Sequence, residues 1–130
     1  MTPYKICDAQ ADDIPFLVQL TGVDLATWSA WCRKHVVVVA RNNHGLLGVI
    51  VLRPVEEGTI EILHLEVMPY YRRLRLARML WNHVIENTVP ANFVANVPER
   101  STDLQCTLRQ FGFKCIGTRD GGALQFVRES

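Results

Sequence analysis

The run Glu61-Ile-Leu-His-Leu-Glu-Val67 reads as a β-strand that breaks at Met68-Pro69, turns through Tyr70-Tyr71-Arg72-Arg73-Leu74-Arg75-Leu76-Ala77 and goes on as a helix. That junction constrains the chain more than any other segment. A strand that delivers a basic turn to a helix N-terminus makes an anion site, because the first helical N–H groups lack internal partners and the helix dipole places partial positive charge there. Arg72, Arg73, Arg75 and Arg78 add full charges at the same place. Their alternative use is as solvated or snorkelling cations on long aliphatic stems.

The residues Val67-Met-Pro-Tyr-Tyr-Arg72-Arg-Leu-Arg-Leu-Ala77 resemble the acetyl-CoA pyrophosphate loop of the GNAT superfamily of N-acyltransferases. That pattern is Gln or Arg, two residues, Gly, one residue, then Gly or Ala. Arg72 and Ala77 match its ends, while Arg75 stands where the middle glycine is expected. The resemblance implies that Arg72, Arg73, Leu74, Arg75, Leu76, Ala77 and Arg78 bind the pyrophosphate of acetyl-CoA, with backbone groups of Leu65, Glu66 and Val67 along the rest of the cofactor.

At 130 residues the chain is long enough for a core without metal or disulfide staples, and one domain over 1–130 is expected. A formal charge of +1 gives no global pull toward nucleic acid or a membrane surface, so neither is expected as a partner. Cys7, Cys32, Cys106 and Cys115 show no CxxC pair or metal-ligand spacing and read as reduced core thiols. No charged segment followed by an apolar stretch opens the chain, and Val36 to Ala40 is too short to span a bilayer, so a cytoplasmic protein is expected.

Periodicity and turn residues give the remaining elements. Tyr4 to Cys7 is a short extended segment, Asp12-Asp13-Ile14-Pro15 opens a helix ending at Gly22, and a second helix runs from about Asp24 to Arg33. Val36–Ala40 and Leu46–Arg53 form a hairpin around Asn42-Asn43-His44-Gly45, and Glu56-Glu57-Gly58 turns into the strand Thr59–Val67. The helix after the basic turn ends near Asn87. Asn92–Val97 is a strand, Thr102–Gln110 a helix, and the tail two strands around Asp120-Gly121-Gly122. The order β-α-α-β-β-β-α-β-α-β-β is that of the GNAT fold, an α+β (α/β/α) architecture with a mixed, mostly antiparallel sheet and helices on both faces.

A second point of resemblance is Leu108-Arg-Gln-Phe-Gly112-Phe113, similar to the family's Tyr-x-x-x-Gly-Phe. Leu108 stands where many members carry a tyrosine that protonates the departing thiolate, and Ser101 where they often carry an asparagine near the pantetheine arm. The family binds its cofactor where the strand ending at Val67 and the strand from Asn92 splay apart. Strand alternation puts Glu61, Leu63, Leu65 and Val67 on one face and Ile60, Ile62, His64 and Glu66 on the other. Glu61, six residues before Val67, falls where several members place a catalytic acid or histidine, and the resemblance makes it a proton acceptor acting through water. His64 and Glu66 read more simply as solvated or helix-covered residues. Asn96 sits where some peptide N-terminal acetyltransferases of the family carry a base; an amide cannot be one, which leaves substrate hydrogen bonding. Trp28 and Trp31 read as core anchors, with a part in the substrate pocket as the alternative.

Two function classes follow. One is an acetyl-CoA-dependent N-acetyltransferase acting on a primary amine, in a small molecule or a protein. The other is a GNAT-fold module that binds acyl-CoA or a protein partner with weak or no turnover. A homodimer is open in both.

Overall fold

A computed structural model describes residues 4–69 and 75–130. Strand β1 (Lys5–Asp8) leads through a single 3-10 turn at Ala11–Asp13 into α1 (Ile14–Thr21) and α2 (Leu25–Lys34). Then come β2 (Val36–Asn42), β3 (Gly45–Glu56), β4 (Thr59–Val67), α3 (Leu76–Glu86), β5 (Asn92–Pro98), α4 (Thr102–Gln110), β6 (Lys114–Thr118) and β7 (Ala123–Arg128). The strands form one seven-stranded sheet in the order β1-β2-β3-β4-β5-β7-β6, antiparallel except for the β4–β5 pair. A parallel pair needs a crossover, and α3 supplies it.

Local chemistry sets the boundaries. Gly22 ends α1 in the left-handed region at φ 75° while its N–H bonds the Val18 carbonyl at 2.8 Å, a conformation that glycine adopts without strain. Asp24 starts α2 by accepting from the Thr27 N–H at 2.7 Å. The valine run of β2 is apolar on both faces because both are covered. Val37 and Val39 join the cluster under α1 and α2, with Leu17, Trp28, Val49 and Val51, while Val38 and Ala40 join the larger cluster under α3 and α4. Trp81 organises that second layer, with Phe93 at 4.9 Å and Phe111 stacked at 5.4 Å between ring centroids. The result is the α/β/α layering expected from the order of elements.

Two expectations are corrected. Val51 pairs with His64 but Leu52 pairs with Ile62, so β4 carries a bulge at Leu63 that breaks the alternation. Ile60, Ile62, Leu65 and Val67 therefore share the α3/α4 side, whereas Leu63 packs in the α1/α2 cluster, where His64 meets Trp28 and Trp31. An unbroken strand would have separated Glu61 from His64; the bulge puts them on one side. Of the cysteines, Cys106 and Cys115 are exposed rather than core residues, and only Cys7 and Cys32 are half-buried. Burial pushes the Cys32 thiol up, with the nearby Asp13 carboxylate adding to it.

An ion pair that sequence reading did not supply ties α1 to β2. Asp13, 5% exposed, receives Arg41 in a two-pronged contact at 2.7 and 2.8 Å and also accepts from the Gln10 N–H at 2.7 Å. Hydrogen bonding from the Arg41 guanidinium, more than any other interaction, holds the Asp13 carboxyl below the usual carboxylate range.

Candidate active site

The β4–β5 ladder holds only four pairs, from Thr59–Asn92 to Ile62–Ala95. Beyond it the strands diverge, and a cleft of about 800 Å³ opens between the end of β4, the end of β5, Ala77 of α3 and the first turns of α4. Leu63, His64, Leu65, Glu66 and Val67 form one wall; Asn96, Pro98, Ser101, Leu104 and Thr107 line the other. Gly48 of β3 lets that first wall, the end of β4, lie close against β3. A Cβ there would meet the Glu66 carbonyl at 3.1 Å, Val67 Cγ2 at 3.2 Å and Leu80 Cδ1 at 3.3 Å.

Helix α3 points its N-terminus at this cleft. Its N-cap is Arg75, at φ 58° and ψ 29°, the one non-glycine residue with positive φ among the described residues. The left-handed backbone of the glycine position is thus kept by an L-residue. The Arg75 side chain makes no cap, and among the described residues none is seen on the N–H groups of the first turn. Leu76 is fully buried and has only its backbone to offer a ligand, while Ala77 lines the cleft. Arg78 is used elsewhere: it donates to the Gln110 carbonyl at 3.0 Å and lies over the Phe111 ring, joining α3 to the end of α4. The expectations for Arg72, Arg73 and Leu74 lie outside the described residues.

Two polar groups occupy the α1/α2 side of β4. Glu61, with a side chain 13% exposed, pairs with Arg53 of β3 through Oε1 and accepts from the Asn96 amide through Oε2 at 3.2 Å. Asn96 thereby links Glu61 to the cleft that it lines. His64 places Nε2 2.8 Å from Glu66 Oε1, with the Trp28 and Trp31 rings at 6.1 and 5.9 Å. Trp28 is fully buried, its indole N–H on the Thr21 hydroxyl at 2.9 Å, and so backs the site. Trp31 is only partly covered. Sequence reading set the His64–Glu66 pair aside; its signal was the adjacency of a histidine and a carboxylate at i and i+2, which one strand face brings together.

Ser101 is the N-cap of α4 and faces the cleft without making a side-chain cap. Leu108, 1% exposed, belongs to the core, so this position presents no phenol to the cleft. Among the described residues no cluster of His, Cys, Asp and Glu could hold a metal ion. No helix of the described residues is long and apolar enough to cross a membrane.

A mixed sheet splayed beyond its parallel pair, with a helix N-terminus at the mouth, defines the acyl-CoA N-acyltransferase fold. The profile of the Acetyltransferase (GNAT) family matches residues 4–96, and the chain belongs to that family. Its structural likenesses agree. Ard1 from Thermoplasma volcanium superposes with a TM-score of 0.83 at 14% identity, over 98% of this chain and 97% of that one. A GNAT family acetyltransferase from Elizabethkingia anophelis, with acetyl-CoA bound, gives 0.77 at 16% over 100% of both chains. The PaiA N-acetyltransferase from Thermoplasma acidophilum, in complex with coenzyme A, gives 0.79 at 14% over 99% and 100%. A search of the curated proteins returned no match.

Proposed function

We propose that this protein transfers an acetyl group from acetyl-CoA to a primary amine, by direct attack of the amine on the thioester in a ternary complex. The observation that carries this reading is the coincidence of the β4–β5 splay with the N-terminus of α3 at one cleft. The residues fit the cofactor. N–H groups of Leu76, Ala77 and Arg78 suit a pyrophosphate, and the adjoining sequence, with Arg72, Arg73, Leu74 and Arg75, brings positive charge to pair with it. Backbone groups of Leu65, Glu66 and Val67 and the Ser101 hydroxyl suit the pantetheine arm, and an N–H of the Leu65–Val67 segment suits the developing oxyanion. Acetyl-CoA supplies an activated acyl group with a thiolate leaving group. On the other side of β4, Glu61 and Asn96 receive the acceptor ammonium, with Trp31 as part of the pocket wall and Trp28 behind it.

The acceptor is a small amine or an amine of a protein. Coenzyme A and acetyl-CoA should raise the melting temperature, since a ligand specific for the folded state adds roughly 2.7 kcal/mol at about 100 times its dissociation constant. Thiol release in the presence of an amine panel then reads transfer. An unmoved melting temperature in millimolar acetyl-CoA would end the proposal. Leu108 in the core and Arg75 at the glycine position favour a second reading, a module that binds acyl-CoA or a protein partner without turnover. Cofactor binding without thiol release from any amine would establish it.

A further inference from the structure

We propose that His64 takes the proton from the acceptor ammonium, and that Glu66 is the positioning residue that sets the imidazole for it. This deepens the reading of the cleft as an acetyl-transfer site and rests on it. Three observations carry it. First, the bulge at Leu63 turns His64 to the same side of β4 as Glu61, and His64 and Glu66 both line the cleft. Second, both Glu61 oxygens are already engaged, one by Arg53 and one by Asn96, whereas His64 reaches the cleft itself. Third, the His64–Glu66 contact decides the tautomer. An ionised carboxylate only accepts, so in the neutral ring Nε2 carries the hydrogen that Glu66 Oε1 receives at 2.8 Å. The lone pair is then on Nδ1. The Trp28 and Trp31 rings pack against the imidazole and hold its plane.

Among the described residues the titratable and charged groups around this ring are Glu61 and Glu66 on β4, Arg53 on β3, Cys32 on α2 and, across the cleft, Arg100, Asp103 and Cys106. A protonated amine has no lone pair for attack. His64 Nδ1 removes one proton, and the freed nitrogen pair forms the C–N bond to the thioester carbonyl. Collapse breaks the C–S bond, and the thiolate leaves with its electron pair. The second proton lost by nitrogen ends on the thiol of coenzyme A, while the proton on His64 passes to solvent. Leu108, in the core, supplies no phenol at that step, and water carries the proton to sulfur.

The test begins with 15N NMR of the imidazole in the free protein, a readout independent of turnover. Hydrogen on Nε2 of the neutral ring is expected, and hydrogen on Nδ1 would overturn the assignment. Kinetics of acetyl transfer follow. His64→Gln should lower kcat on the order of 100-fold and abolish the rise of kcat/KM with pH that deprotonation of the imidazole produces, with acetyl-CoA affinity kept. Glu61→Gln should weaken the amine's KM yet retain that rise. Should His64→Gln lose its fold or its cofactor affinity, Glu66 carries the same test with the imidazole in place. Glu66→Ala should fall between wild type and His64→Gln in kcat, and Glu66→Gln, whose amide oxygen still accepts from Nε2, should retain more activity than Glu66→Ala. If the wild type releases no thiol with any amine, the transfer reading itself fails and takes this assignment with it. A wild type that turns over beside a folded His64→Gln within about threefold of it would overturn the role of His64 alone.

Discussion

Replacing Arg75 by glycine should stabilise the fold. Arg75 holds φ 58° and ψ 29°, and an L-residue pays for that geometry with about 1–2 kcal/mol of contact between Cβ and the following carbonyl. Glycine removes the contact but brings a more flexible unfolded chain, which subtracts roughly 0.5–1 kcal/mol. The net gain for Arg75→Gly is therefore about 0.5–1 kcal/mol. A chain of 130 residues loses on the order of 0.27 kcal/mol per kelvin around its melting point, so the midpoint should rise by about 2–4 °C. Arg75→Ala is the control, since alanine keeps the Cβ and the strain while removing the guanidinium. Urea and thermal melts of the three proteins, without ligand, measure the effect. The same variants separate the two uses of the side chain: if the guanidinium contacts a phosphate, Arg75→Ala weakens coenzyme A binding by about 10- to 100-fold and leaves pantetheine binding unchanged. A glycine variant no more stable than the alanine variant would refute the strain argument, and one that binds coenzyme A more tightly than wild type would make the arginine an obstruction.

Arg41→Ala should lose about 3 kcal/mol at neutral pH, because it leaves Asp13 charged and nearly buried without its partner; a loss under 1 kcal/mol in urea melts would count against the pair. The folded Asp13 carboxyl is held down relative to the unfolded chain. Its stabilisation is therefore complete above the ordinary carboxylate range and disappears as pH falls through the depressed value, so wild type and Arg41→Ala should converge in strongly acidic melts. Gly48→Ala should lose about 1–3 kcal/mol by forcing β4 off β3, and it should also weaken coenzyme A binding because the displaced strand is a wall of the cleft; an unchanged affinity would separate the strand's position from the site. Arg78→Ala should lower stability by about 1 kcal/mol through the end of α4, with the salt dependence of coenzyme A binding as in wild type; a flattened salt dependence would return Arg78 to the phosphate.

The strand ending at Val67 and the helix beginning at Leu76 were legible because their signals are local: a proline stop and a helical period flank the arginine cluster in the sequence. The order of elements was legible for the same reason, and the hairpin boundaries moved where β2 runs on to Asn42 and β3 runs from Gly45 to Glu56. What escaped depends on partners far away in the chain. The bulge at Leu63 exists because β3 and β4 pair out of step between Val51 and Leu52, and no period-2 template contains it. One skipped pair reassigned the faces of β4 from His64 onward, and the significance of the His64–Glu66 pair went with them. Arg78 was read with its neighbours in the basic turn, yet its partners are Gln110 and Phe111, about thirty residues on. Asp13 read as an acid at a helix start, whereas its main partner, Arg41, lies two elements downstream.

The four-pair β4–β5 ladder has a mechanical consequence. Among the described residues it is the strand pairing that joins two antiparallel units, β1 to β4 and β5 with β7 and β6, within one sheet. The Asn96–Glu61 hydrogen bond also crosses it, and the apolar layer under α3 and α4, into which both units contribute, joins them from one side. A ligand seated in the divergence beyond Ile62 and Ala95 acts as a wedge that touches both units at the point where they would first part. Its binding energy is then spent on the weakest joint of the sheet, and the amides of Thr59–Ile62 and Asn92–Ala95 should gain the most protection from hydrogen exchange when the cleft fills.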